Sequence, residues 1–112
     1  MTKKVVRATD FQLVGNDGSL RASLSVNPDN TPNLRFFDAE GGTRFDLFLL
    51  ADGIPVINVS AKQNSCRIAL GLSEKDAPFL EFYDQKQKPI CRYDIIEKDG
   101  DIEVVRRKAR RR

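Results

Sequence analysis

The sequence repeats itself with a period of about 23 residues through most of its length, and this period limits the folds that the chain can adopt. Three prolines and three arginines recur at that interval: Pro32, Pro55 and Pro78, and Arg21, Arg44 and Arg67. A fourth copy continues with Arg92 and Ile95, displaced by two residues, which predicts a longer turn in the last unit.

Apolar residues alternate with other residues inside each repeat, which is typical of β-strands with one buried face. Leu34 and Phe36 alternate on one segment, and Phe45, Leu47 and Leu49 alternate on the next. Residues that tolerate positive φ lie between such runs: Asp17-Gly18, Glu40-Gly41, Gln63-Asn64 and Asp99-Gly100. We therefore expect one hairpin per repeat and an all-β antiparallel meander of about nine strands.

The hairpin turns also predict the register of the strands. A two-residue loop at Glu40-Gly41 places apolar side chains opposite apolar ones and opposite charges together, in the pairs Phe37 with Arg44, Phe36 with Phe45, Arg35 with Asp46, and Leu34 with Leu47. The same reasoning pairs Leu13 with Ala22, Phe11 with Leu24, and Ile95 with Val104. The short connections between hairpins pair Leu24 with Leu34, Leu47 with Ile57, and Leu70 with Leu80.

The last segment of the chain has two interpretations. The pairing of Ile95 with Val104 predicts that the chain ends in a ninth strand. The alternative is a short helix from Ile102 onward, with Val105 and Ala109 on one side.

This register gathers the apolar residues onto one continuous face of the sheet. No helical segment is long enough to cover that face, so the sheet must curl on itself or meet another molecule. We expect closure as a small up-and-down barrel of eight or nine strands. The alternative is a single sheet, or a set of intertwined hairpins, that is covered by oligomerisation.

Composition indicates a single folded domain over residues 1–105 and a basic tail over 106–112. The chain has 112 residues, of which 40% are hydrophobic and 31% charged, as in ordinary globular domains. Its longest apolar run is too short for a membrane span, and its N-terminus lacks an apolar signal segment. We therefore expect a cytoplasmic protein without a membrane span.

The basic tail is a candidate site for an anionic partner, with nucleic acid the favoured class. The net charge of +3 comes from 19 basic and 16 acidic residues, and six of the basic ones lie in the tail. The rest of the chain therefore has 19 − 6 = 13 basic and 16 acidic residues, a net charge of −3. The alternative is a solvated tail without a partner. The candidate binding residues are Arg106, Arg107, Lys108, Arg110, Arg111 and Arg112.

A column of four arginines, Arg21, Arg44, Arg67 and Arg92, offers a second arrangement of cations. One in each unit precedes the second strand, so the column could grip phosphates or carboxylates. The structural interpretation is favoured, because the predicted register places Arg44 opposite Phe37 and Arg92 opposite Tyr83, where stacking on an aromatic ring satisfies a guanidinium group.

The face opposite the apolar one is less polar in the second and third hairpins than a solvated sheet should be. A cluster of this kind is typical of an interface, and self-association is the simplest interpretation. Coverage by a loop or by the N-terminal segment is the alternative. The candidate interface residues are Phe37, Phe48, Leu50, Ile54 and Val56.

Nothing in the sequence predicts catalysis, a cofactor or a metal site. Histidine is absent, and the carboxylates occur mainly as turn residues. The register places Asp84 between Cys66 and Cys91, so the two thiols lie roughly 9 to 10 Å apart, beyond the reach of about 7 Å for a disulfide. We expect a non-catalytic module that self-associates and docks an anionic partner. A small barrel that binds an apolar ligand is the alternative, and large side chains such as Phe36 and Phe82 would fill its lumen.

Overall fold

The computed structural model describes residues 3–108, which form one antiparallel sheet of nine strands. Each strand pairs with its neighbours in chain order, so the predicted meander is confirmed. Within residues 3–108 the helical content is a single 3₁₀ turn, Lys62–Asn64. The strands are β1 (Asp10–Val14), β2 (Leu20–Val26), β3 (Pro32–Phe37), β4 (Thr43–Leu49), β5 (Pro55–Ala61), β6 (Ser65–Leu72), β7 (Pro78–Tyr83), β8 (Pro89–Lys98) and β9 (Asp101–Lys108).

The register in the body of each hairpin agrees with the prediction. Phe36 lies opposite Phe45, and Leu34 lies opposite Leu47. The pairs predicted between and across the other hairpins are also present: Leu13 with Ala22, Phe11 with Leu24, Leu24 with Leu34, Leu47 with Ile57, Leu70 with Leu80, and Ile95 with Val104. The alternative of a helix from Ile102 is wrong over the described residues, because Asp101–Lys108 is β9 and pairs with Cys91 to Lys98 of β8. Ala109, which that alternative also included, lies outside the described residues.

Two of the hairpin turns have one more residue than the sequence predicts. In the turn from Asp38 to Gly42, the Asp38 N–H donates to the Gly42 carbonyl and the Gly41 N–H donates to the Asp38 carbonyl. Gly41 has a φ of 85°, whereas Glu40 does not have positive φ. The two-residue loops predicted at Asp17-Gly18 and Glu40-Gly41 are therefore wrong, because such a loop of type I′ needs positive φ at both residues. Asp99 and Gly100 meet that requirement, with φ values of 53° and 84°.

A β-bulge follows the turn inside each of the four repeats. Phe36 pairs with Phe45 but Phe37 pairs with Thr43, so Arg44 is left without an opposite residue. The predicted pair of Phe37 with Arg44 is therefore wrong. The residue at the bulge recurs with the period of the sequence repeat: Arg21, Arg44, Arg67 and Ile90.

The bulge explains why the period is an odd number of residues. Successive turns begin at Gly15, Asn27 and Asp38, so the first step along the chain is longer than the second by a single residue. That extra residue is the bulge residue. The last unit keeps this spacing with its turn at Asp84 and its bulge at Ile90. The longer turn predicted there is wrong: the additional residues extend β8, which has 10 residues.

The sheet is open, so the predicted barrel is wrong. Its Cα radius of gyration is 17.5 Å, whereas a compact domain of this length has a value of about 13 Å. Strand ends stay level across the sheet, because Leu34, Ile57 and Leu80 are each the third residue of their strand and lie in one row. Barrel closure requires strands that are tilted and progressively staggered, and repeats of equal length in equal register do not provide that stagger.

The buried apolar core is small. Among the residues described, the buried hydrophobic ones are Ala22, Ile54 and Ala69, and no large side chain is fully buried. Neither face of the sheet is therefore fully covered. The chain has extents of 48 × 40 × 25 Å. Over the same residues, no helix has the length and apolar character of a membrane span.

The shared turn geometry predicts that gain of a glycine at one position and loss of a glycine at the equivalent position change stability in opposite directions. Gln87 has a φ of 61° in the turn that corresponds to that of Gly41. Gln87→Gly should raise the free energy of unfolding by about 1 kcal/mol, and Gly41→Ala should lower it by about 1 kcal/mol. Urea unfolding at one fixed protein concentration measures both changes. A loss of stability in Gln87→Gly would contradict the assigned turn.

Candidate interaction surface

One face of the sheet, the apolar face, contains two continuous rows of apolar side chains that cross β1 to β8. The register places successive members opposite each other on adjacent strands. On β9 the two rows end in Arg106 and Lys108. The first row is Phe11, Leu24, Leu34, Leu47, Ile57, Leu70, Leu80 and Tyr93, and the second is Leu13, Ala22, Phe36, Phe45, Val59, Ile68, Phe82 and Cys91.

The apolar face has no second layer over it within residues 3–108. Leu24 is 48% exposed, Phe36 46% and Leu70 39%, although all three lie inside the rows. Leu34 and Leu47 are half-buried by their neighbours in the sheet. The expectation that this face is hidden inside a barrel is therefore not met, and the face that sequence reasoning assigned to the core is the larger apolar surface of the chain.

The opposite face, the polar face, pairs its own charges. Arg35 Nε lies 3.4 Å from Asp46 Oδ1 on the adjacent strand. The hydroxyl of Ser25 donates to Asn33 Oδ1 at 3.1 Å, and Asn33 is buried. These cross-strand pairs leave few unsatisfied groups, as expected for a face that contacts water.

A network of charges continues the polar face across β7, β8 and β9. Arg92 Nε donates to Asp94 Oδ1 at 2.9 Å, and its Nη1 lies 3.7 Å from Glu81 Oε2. Its guanidinium carbon also lies 4.2 Å from the centre of the Phe79 ring. The Tyr83 hydroxyl donates to Glu81, and burial together with this bond raises the pKa of Tyr83 to about 12. These ionisable groups are therefore held as neutral or paired structural groups.

The predicted interface residues lie on or beside the polar face, and the structure brings only part of the set together. Phe48 and Val56 are opposite each other on β4 and β5, next to the turn that contains Leu50 and Ile54. Leu50 is 43% exposed, but Ile54 is only 9% exposed. Phe37 lies at the other end of β3, opposite Thr43. The patch is smaller than predicted because Ile54 is already buried and Phe37 is separate.

The arginine column is a structural device at three of its four positions. At the bulges, Arg44 Nε donates to the Ser60 carbonyl at 2.8 Å, and Arg67 Nε donates to the Tyr83 carbonyl at 3.1 Å. In both cases the acceptor lies on the next strand, so each arginine links a hairpin to its successor. Arg92 is a regular strand residue opposite Glu81.

The aromatic partners predicted for the column are therefore wrong. Arg44 contacts a carbonyl and lies 3.7 Å from Asp38 Oδ2 instead of stacking on Phe37. Arg92 lies opposite Glu81 and over the ring of Phe79, whereas Tyr83 lies next to the turn and opposite Pro89. The regular spacing of the first three arginines was the signal for the bulges, since a residue that follows every turn at a fixed distance occupies the same backbone position each time.

The predicted anion-binding residues divide between a strand and the undescribed end of the chain. Arg106, Arg107 and Lys108 are the last residues of β9, whereas Arg110, Arg111 and Arg112 lie outside the described residues. Arg106 is opposite Tyr93 and Lys108 opposite Cys91, so both belong to the apolar face. Arg107 belongs to the polar face, where its Nε lies 3.6 Å from Asp94 Oδ2. Cations therefore flank both sides of this edge strand.

Turn carboxylates accept hydrogen bonds from the backbone. Asp38 Oδ1 accepts from the Gly42 N–H at 2.9 Å and the Glu40 N–H at 3.0 Å, and these bonds lower the pKa of Asp38. The Ser19 hydroxyl and N–H lower the pKa of Asp17 in the same way. No group of three or more His, Cys, Asp or Glu side chains among residues 3–108 is placed to hold a metal ion.

Cys66 and Cys91 are free thiols. Burial raises the pKa of the Cys66 thiol, which disfavours the reactive thiolate. Cys91 lies opposite Phe82 on β7, not opposite Asp84 as predicted, a difference of two residues. Asp84 cannot be its partner because β7 ends at Tyr83 and Asp84 begins the turn.

A depression of 540 Å³ lies beside the turn at residues 73–77 and the adjacent part of β8. Asp94 and Arg107 line it and are paired with each other.

Neither a protein-family model nor a curated protein sequence matches the chain.

The link from Arg67 to Tyr83 predicts a loss of stability on removal of the guanidinium group. Arg67→Met keeps the length of the side chain but loses the hydrogen bond, so the free energy of unfolding should fall by about 1–2 kcal/mol. The control is Arg21→Met, because Arg21 occupies the equivalent bulge and has no hydrogen bond to a strand carbonyl within residues 3–108. Urea unfolding measures both variants, and an equal loss in Arg21→Met would contradict the proposed link.

Proposed function

We propose that the protein is a non-catalytic interaction module that self-associates and docks an anionic partner through Arg106 to Arg112, with nucleic acid the favoured class of partner. The observation that carries this proposal is the apolar face, whose two rows span eight strands without a covering layer. Contiguous apolar surfaces of that size are typical of protein interfaces. A molecule that leaves such a face in water has a strong driving force to associate.

The basic end of β9 supports the anionic partner. Arg106 and Lys108 form no ion pair within residues 3–108, and Arg107 is 65% exposed at its side chain. β9 is the last strand of the sheet, so one of its edges is free. The three cations alternate between the two sides of this edge, and Arg110 to Arg112 follow directly in the sequence. A phosphate backbone is a suitable ligand for positive charges grouped at one edge of a sheet.

The roles of the acidic residues support a function without catalysis. Asp17 and Asp38 hold turns, while Glu81 and Asp94 are committed to the polar network. The alternative function, an apolar ligand inside a barrel, loses its support because an open sheet has no lumen. The two free thiols support a reducing compartment, and we propose the cytoplasm.

The mass of the protein in solution tests self-association. Sedimentation equilibrium over micromolar concentrations should give a mass above the 12.7 kDa of one chain, because burial of the apolar face stabilises the complex. A mass of one chain at every concentration would end this part of the proposal.

The salt dependence of binding tests the anionic partner. Affinity for a short duplex DNA should fall steeply with salt, and replacement of Arg106, Arg107 and Lys108 by serine should make the slope of log affinity against log salt less steep by about 0.9 for each lost phosphate contact. A control variant replaces Lys62, Lys86 and Lys88 by glutamine, which removes the same charge from turns. Fluorescence anisotropy measures both. Equal losses in the two variants would show attraction by net charge alone and contradict the proposed site.

A further inference from the structure

We infer that a second copy of this chain covers the apolar face, stacked face to face so that the two sheets form a sandwich. This inference rests on the proposed self-association and specifies the surface that carries it. It develops the sequence-based alternative of a single sheet covered by oligomerisation, and it moves the interface away from the predicted residues beside the polar face, Phe37, Phe48, Leu50, Ile54 and Val56.

The accessible area of the chain has the magnitude that such a dimer needs. The chain exposes 9125 Å², whereas a compact monomer of 12.7 kDa would expose roughly 6,200 Å². The excess is about 2,900 Å², part of which comes from the exposed residues 3–9. If half of the excess is buried on each chain, the interface totals about 2,900 Å², within the range of about 2,000–5,000 Å² for obligate homodimers.

The shape of the apolar face favours a second copy over a smaller partner. Its rows are continuous over eight strands, so an occupant must present an apolar surface of similar width. A second sheet of the same chain has that width and chemistry, and a two-fold axis satisfies both apolar faces at once. Two sheets with rows of this kind can interdigitate about 10 Å apart in an aligned sandwich.

Other modes of association leave the apolar face in water. Pairing of free edges at β1 or β9 would widen the sheet but would not cover the rows. Association through the polar face would compete with its own pairs, including Arg35 with Asp46 and Arg92 with Asp94. The desolvation of such groups opposes burial, whereas the apolar rows carry no charge before β9.

The charges on β9 also favour one orientation of the second copy. If β9 lay on the β9 of the partner subunit, Arg106 and Lys108 would face their own copies. A two-fold axis that runs along the strands instead places β9 over the other edge of the second sheet, where the rows begin with Phe11 and Leu13. The long side chains of the cations can then reach water at the margin of the interface. In both orientations β5, the fifth of nine strands, lies at the centre.

Adjacent residues on β5 provide the test. Val59 is on the apolar face and 37% exposed, and Asn58 is on the polar face. Val59→Lys should weaken the dimer at least about 100-fold, because a charge would be buried at its centre. Asn58→Lys adds the same charge on the other side of the sheet and should leave the mass of two chains unchanged. Sedimentation equilibrium measures both variants, and far-UV circular dichroism confirms that each remains a β-sheet.

A labelling measurement avoids any effect of the added charge on folding. In a background with Cys66→Ser and Cys91→Ser, Val59→Cys and Asn58→Cys report the accessibility of the two faces to a small thiol reagent. The cysteine at position 59 should be protected at high protein concentration and should react faster on dilution, whereas the cysteine at position 58 should react equally at both concentrations. Protection of position 58 instead would overturn the assignment.

The outcomes separate this inference from the proposed function. If the unmodified protein has the mass of one chain, self-association itself fails. If it associates but Val59→Lys associates equally well, or if its mass corresponds to three chains, self-association stands and the face-to-face pair of sheets is wrong. Dissociation by Val59→Lys alone supports the inference.

Discussion

The structure depends on the alternation of side chains along antiparallel strands, because a shift by one residue moves every side chain of a strand to the other face. The β-bulge keeps this alternation consistent with the turns. If the strands continued regularly from the turn between Asp38 and Gly42, Phe36 would lie opposite Arg44. Because Arg44 is the unpaired bulge residue, Phe36 lies opposite Phe45 instead. One sequence repeat is therefore two equal steps from turn to turn with a single bulge residue added, and the sheet is built by repeating this unit.

The strand order and the apolar rows could be predicted from the sequence, because alternation and turn residues are local signals. Pairs such as Leu47 with Ile57 followed directly from them. The turn geometry was missed because a glycine at position 41 is compatible with a two-residue loop as well as with the three-residue loop that forms. The bulges were visible only as an arginine period, which has a functional interpretation as well as a structural one.

Closure of the sheet was mispredicted for a different reason. The need to hide an apolar face does not specify how it is hidden, and the stagger that a barrel requires is a property of strand ends, not of side-chain type. The equal lengths of the repeats contained that information, since Leu34, Ile57 and Leu80 begin their strands in the same way. For the candidate site, the sequence identified the basic residues but not their position on an edge strand, because Arg106 and Lys108 continue an alternation whose partners are apolar.

The recurrence of the bulge at the same position gives each of the four repeats the same pattern of turn and strand pairing. A gain or loss of one repeat unit would move the edge of the sheet by two strand spacings, about 10 Å, and would leave both faces in register. Duplication or deletion of one repeat within a gene would thus change the width of the sheet by a fixed amount. The apolar face would remain apolar and the polar face would remain polar.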